Sequence, residues 1–166
     1  MKTTDDQSEI FVVVDQNDKI IGYKTRKDCH SNKSLTHRGT GIVIFNDKGE
    51  ILIQKRSTTK DTDPGYLSTS ASGHLQKGET YKDAAEREMF EEIGIKTKLT
   101  FNSKFFYEDS RETEINALFT GNHNGPFKIN KKEVSSIKFV AKESLKKIRG
   151  QLTPFAIQCF ENLKLL

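Results

Sequence analysis

The stretch from Gly73 to Ile95 constrains this chain more than any other. It opens Gly73-His74-Leu75-Gln76-Lys77-Gly78-Glu79, continues for seven residues, and closes Arg87-Glu88-Met89-Phe90-Glu91-Glu92-Ile93-Gly94-Ile95. The second half reads as a helix over Tyr81 to Ile93. Thr80 is a good N-cap, with Asp83 three residues on to complete a capping pattern. Gly94 stands where a left-handed C-terminal cap is wanted. Ala84, Ala85, Met89 and Ile93 recur at helical spacing and should face a core. Glu88, Glu91 and Glu92 are spaced i, i+3, i+4, so they share one face. Their repulsion costs an isolated helix a few tenths of a kcal/mol per pair, about what a nearby cation offsets. Such a cluster suits a hard divalent ion, magnesium or manganese. Glu79 lies one turn earlier, within reach of the same region. Arg87 can pair with a neighbouring carboxylate and fix its orientation.

The rest of the chain supplies one α/β domain. Its 166 residues fit a single unit able to bury a core without disulfides or a structural metal. Residues 1–8 are polar and read as a flexible tail; 9–166 read as the domain. Strands are expected at Glu9 to Asp15, Lys19 to Thr25, Gly39 to Phe45 and Ile51 to Lys55. Asn46-Asp47-Lys48-Gly49 turns the second hairpin. Further strands are expected at Lys98 to Tyr107, Glu112 to Phe119 and Ile137 to Val140. Loops are expected at Thr58 to Gly65 and at Gly121 to Pro126. A last helix starts at Thr153, with Pro154 at its first position, and runs toward Leu165. Strands mixed with two or three helices indicate an α/β fold.

Bulk properties exclude several classes. No apolar run reaches the roughly 18 residues a bilayer demands, and residues 1–8 lack a signal-type apolar stretch, so a cytoplasmic protein with no membrane partner is expected. Cys29 and Cys159 are far apart and suggest neither a zinc site nor a disulfide framework. The net charge is +4, without a block of like charges. That suits an anionic ligand and gives no reason to expect nucleic acid.

Residue for residue, Gly73 to Ile95 resembles the Nudix box. Every fixed position is filled, a chance match on the order of one in 10^9 starts. A solvated acidic helix face is the bland alternative, and the completeness of the motif outweighs it. The resemblance implies an α/β/α sandwich with a mixed sheet between helices. It implies magnesium-dependent hydrolysis, with manganese as a substitute, of a nucleoside-diphosphate-type or other small organic diphosphate. By resemblance Glu88, Glu91 and Glu92 hold metal with Glu79 in support, the Gly73 carbonyl joins them, and Arg87 orients the carboxylates. Glu133 is a candidate base, since such enzymes often take a glutamate from a late loop. Dimers are common in this family, so a homodimer is compatible with it.

A broader pattern is similar to the isopentenyl diphosphate isomerase branch of that family. It comprises His37 opening a strand, Gln54-Lys55-Arg56-Ser57, Lys60, Pro64-Gly65-Tyr66, Gly73-His74 and Glu112-Thr113-Glu114. The resemblance implies that Arg56 and Lys60 contact the diphosphate, and that His37, His74, Glu112 and Glu114 bind a metal. Three positions depart from the isomerase. Ser72 stands where its catalytic cysteine would be, and a hydroxyl does not supply thiolate chemistry. Leu67 replaces a tryptophan of the substrate pocket. Glu88 occupies a position where the isomerase carries arginine. The expectation is therefore a hydrolase; the alternatives are an isomerase-like enzyme and a non-catalytic diphosphate-binding module. His30 and His123 read as ordinary polar residues. Phe105, Phe106 and Tyr107 either stack on a ligand or pack.

Overall fold

The computed structural model describes residues 2–166. In chain order its elements are β1 (Ile10–Val14), β2 (Ile20–Thr25), α1 (Arg26–Cys29), β3 (His37–Phe45), β4 (Ile51–Arg56), β5 (Leu67–Ser68) and β6 (Ala71–His74). Then follow α2 (Tyr81–Ile93), β7 (Thr100–Glu108), β8 (Thr113–Asn122), β9 (Val134–Val140), α3 (Lys142–Ile148), a 3-10 turn at Arg149–Gln151, and α4 (Pro154–Asn162).

Among the described residues, nine strands join one mixed sheet, with β3 at its hub. The run from Gly39 to Ile44 is buried without a break, as a strand covered on both faces requires. β3 pairs in parallel with β8 from His37↔Glu114 to Phe45↔Asn122. On its other side it pairs antiparallel with β6, from Gly39↔His74 to Ile42↔Ala71. Ile42 and Ile44 meet Ala85, Met89 and Ile93 of α2 on one face. Val43, Ile51, Ile53 and Leu118 meet Ala156, Cys159 and Phe160 of α4 on the other. The result is the expected α/β/α arrangement. Among the described residues, no helix is long and apolar enough to cross a membrane.

The expected boundaries of α2 hold. The Thr80 hydroxyl accepts from the Asp83 amide, and the Asp83 carboxylate accepts from the Thr80 amide in return. Gly94 has φ of 70°, and a Cβ there would sit 2.6 Å from the Lys128 carbonyl oxygen. This position therefore needs glycine for its backbone and for its space.

Four expectations change. The loop expected from Gly121 begins two residues later, because β8 keeps pairing with β3 as far as Asn122. β9 starts at Val134, three residues early, because its register with β4 continues to Arg56. Helices α1 and α3 have four and seven residues, too short for apolar periodicity to announce them. The segment expected as a flexible tail is docked. Asp5, its side chain only 4% exposed, meets Lys60 and Arg26, and the Thr4 amide donates to the Thr59 carbonyl.

Candidate active site

One cleft of about 390 Å³ opens at the end of the sheet, within the size range of small-ligand sites. α2 brings glutamates to one wall. Glu88 and Glu92 are turned inward, whereas the Glu91 side chain is half-exposed. Glu88 fits only because β6 carries Gly73 beneath it. A Cβ on Gly73 would lie 2.1 Å from the Glu88 carboxyl carbon. Burial, reinforced by the neighbouring Glu92 charge, pushes the Glu88 carboxyl up to about 8 against the pull of Arg87. Burial also pushes Glu92 up to about 7, although Lys60 and Gln54 pull the other way.

The surrounding donors fix these carboxylates. Arg87 donates from Nε to Glu79 Oε1 at 2.6 Å and from Nη2 to Glu79 Oε2 at 3.0 Å. Its Nη1 reaches Glu88 at 2.7 Å and Glu91 at 3.2 Å, and its Nη2 also holds the His74 carbonyl at 2.9 Å. One guanidinium thus ties the loop, the strand and the helix together. Gln54 Nε2 donates to Glu92 Oε2 at 2.6 Å, and the Ser72 amide approaches the same oxygen at 3.3 Å. Glu88 and Glu92 nevertheless share a buried space with only partial neutralisation. Two inward carboxylates beside the Gly73 backbone, both raised in pKa chiefly by burial, fit a hard divalent cation.

A second cluster lines the same cleft. His30, His37, His74 and Glu112 place one ligand atom each within 4.8 Å of one another. Glu114 adds a carboxylate 3.1 Å from His74 Nε2 and 3.5 Å from His37 Nε2. His30 Nε2 and Glu112 Oε2 approach to 2.8 Å, yet among the described residues neither has a correctly directed hydrogen-bond partner, and His37 Nε2 has none either. Buried polar atoms normally find partners. Lone pairs and ring nitrogens converging on one point without bonding each other fit a cation. His37 Nδ1 lies 3.2 Å from the Leu35 carbonyl, which turns Nε2 inward, as the outer hydrogen bond of a metal-binding histidine does. Phe11 stacks on His74 at 4.0 Å and on His37 at 5.1 Å, closing one side. Burial opposes protonation of His37, but Cys29, Glu112 and Glu114 lift it well above its ordinary value. Burial drops His74 to about 4.

His30 corrects its reading as an ordinary polar residue. The four-residue α1 and the turn after it bring it beside His37, and neither is visible as periodicity. His123 is ordinary as expected, its Nδ1 accepting from the Gly125 amide. Arg56 and Lys60 line the cleft, but the protein engages both. Arg56 donates to the Thr62 carbonyl from Nε and Nη2, and Lys60 lies between Asp5 and Glu133, at 2.5 Å from the latter. Arg26 escaped sequence reasoning; it is buried and held by Asp61 through two 2.8 Å bonds. Of the three aromatics, Tyr107 lines the cleft edge-on to Phe155. Phe105 packs against Phe155 from β7, and Phe106 is exposed. Ser72 faces the cleft, whereas Leu67 packs into the α4 core.

Fold and cleft together define a class: an α/β protein in which a glutamate-bearing helix and the loop carrying Lys60 line one polar cleft. Comparison with known proteins narrows the class. The NUDIX domain model matches residues 35–163. An uncharacterized Nudix hydrolase of Pseudomonas aeruginosa is 33% identical over 137 residues, 82% of this chain and 80% of its own length. Human isopentenyl-diphosphate delta-isomerase 2 is 43% identical over 100 residues, but these span 52% of this chain and 44% of that protein. The crystal structure of DR0079 from Deinococcus radiodurans superposes with a TM-score of 0.79 at 20% identity, over 95% of this chain and 99% of that one. The chain belongs to the Nudix family, and the relatives matched over about four fifths of their length carry the name uncharacterized Nudix hydrolase.

Proposed function

We propose that this enzyme hydrolyses the diphosphate linkage of a small organic diphosphate, of nucleoside-diphosphate type or similar, with a divalent cation held by Glu88, Glu91, Glu92 and the Gly73 carbonyl. The observation that carries this reading is the buried Glu88–Glu92 pair facing a cleft that Arg26, Arg56 and Lys60 also line. When bound, magnesium or manganese would neutralise phosphate oxygens and lower the pKa of a water. The chain's own residues do the positioning. Arg87, anchored on Glu79, holds Glu88 in place, and Gln54 holds Glu92. Lys60 and Arg56 supply positive charge where the outer phosphate rests. Glu133, whose carboxylate meets Lys60 at 2.5 Å, would take the proton from the attacking water. His30, His37, His74, Glu112 and Glu114 form a second cation site on the same cleft.

A panel of nucleoside diphosphate derivatives and simple organic diphosphates, incubated with magnesium and assayed for cleavage of the diphosphate bond into monophosphate products, tests this. The wild type should turn over at least one member and Glu92→Gln none. A silent panel, or a fully active Glu92→Gln, would sink the assignment.

The five-residue His/Glu cluster beside Ser72 and the partial match to a human isomerase give an isomerase-like reading some support. Ser72 argues against it, because a hydroxyl lacks the moderate pKa of a cysteine thiol. Incubation with isopentenyl diphosphate should leave it unconverted; appearance of the dimethylallyl isomer would reverse this reading.

A further inference from the structure

On the wall of the cleft the Asp5 carboxylate sits among cationic and N–H donors. Asp5 Oδ1 meets Lys60 Nζ and lies 3.7 Å from Arg26 Nη2. Asp5 Oδ2 accepts from the Asp61 backbone amide at 2.8 Å and from the Thr3 hydroxyl at 3.2 Å. Two cations and a backbone N–H around one carboxylate make the donor set that also recognises a phosphate oxygen. The segment carrying Asp5 is laid along the loop that carries Lys60. The Thr4 amide donates to the Thr59 carbonyl at 3.1 Å, their hydroxyls are 2.9 Å apart, and Gln7 Nε2 reaches Asp61 at 3.1 Å. The carboxylate of its neighbour Asp6 is exposed and accepts from the Ser8 amide and hydroxyl.

We infer that Asp5 is an internal anion occupying the outer-phosphate position, which a ligand's terminal phosphate must displace to reach Lys60 and Arg26. This rests on the reading of Lys60 as a phosphate contact. A tethered competitor acts at high effective concentration, so weakly charged anions are excluded. A terminal phosphate, with up to two negative charges, competes successfully. Asp5 thereby sets selectivity for ligands ending in a free phosphate over carboxylates and phosphodiesters.

The test is calorimetric binding of methylene diphosphonate, which is not hydrolysed, in the presence of magnesium. Asp5→Asn, which keeps the shape and removes the charge, should bind about tenfold tighter than wild type, and Asp6→Asn should match wild type. Lys60→Ala should bind more weakly. Weaker binding in Lys60→Ala with no gain in Asp5→Asn overturns the inference and leaves the phosphate assignment standing. No change in either variant overturns both. Should Asp5→Asn fail to fold, hydrogen–deuterium exchange of residues 2–8 in the wild type decides. Exchange there should speed up when the diphosphonate binds; unchanged or slower exchange would overturn the inference.

Discussion

Gly73 and Glu88 touch so closely that a methyl group on the glycine would overlap the carboxylate, 2.1 Å from its carbon. Gly73→Ala therefore forces Glu88 away from the cleft while β6 keeps its pairing with β3. A displacement near 1 Å at a catalytic group costs about 10^2-fold in rate, and kcat/KM for the best diphosphate substrate should fall by about that factor. The circular dichroism spectrum should stay that of the wild type. An alanine variant with unchanged kinetics would mean that Glu88 is not part of the machinery.

Proton and cation should compete for the same pair. Burial raises Glu88 to about 8 and Glu92 to about 7. A carboxyl raised in the folded state is protonated there at pH values where the unfolded chain is already ionised. Its contribution to metal-free stability is intact below the ordinary value of 4.5 and is lost as pH rises toward 8. A cation reverses this by favouring the ionised form. The rise in melting temperature produced by magnesium should accordingly be larger at pH 8 than at pH 6, and Glu92→Gln should shrink the difference. An equal rise at both pH values would contradict the raised pKa pair.

The second cluster yields its own measurement. His30, His37, His74 and Glu112 converge within 4.8 Å, with orphaned nitrogens and a carboxylate oxygen. Cobalt(II) added to the protein should produce ligand-field absorption typical of a nitrogen–oxygen site. Even an outer partner of a metal ligand is worth about 10- to 100-fold in affinity, so His30→Ala should weaken cobalt binding at least about tenfold. Equal titrations of wild type and variant would remove His30 from the site.

The helix of glutamates is legible in the sequence because its determinants are local. The Thr80 cap, the Gly94 stop and the i, i+3, i+4 glutamates all lie within one short segment. The mixed sheet and its two covering helices follow from the same motif. His30 and Arg26 are illegible there because α1 is only four residues long and their partners, Glu112 and Asp61, lie 82 and 35 residues away along the chain. The engagement of Lys60 by Asp5 is hidden for a related reason. A polar segment with no periodicity looks unstructured, although here buried ion pairs and hydrogen bonds hold it without an apolar face.

Stability and catalysis should separate at the start of α2. The Thr80 hydroxyl accepts from the Asp83 amide, and Asp83 accepts from both the amide and the hydroxyl of Thr80. This exposed capping box lies two turns before Glu88, and its side-chain hydrogen bonds run between Thr80 and Asp83 alone among the described residues. Loss of an N-cap side chain costs about 1 kcal/mol, which for a chain of this size lowers the melting temperature by roughly 2–4 °C. Thr80→Ala should show that decrease in thermal unfolding, with kcat and KM at 25 °C within about twofold of wild type. A large kinetic defect would mean that fraying of the first turn reaches Glu88 through Arg87, making the cap part of the positioning of the carboxylates.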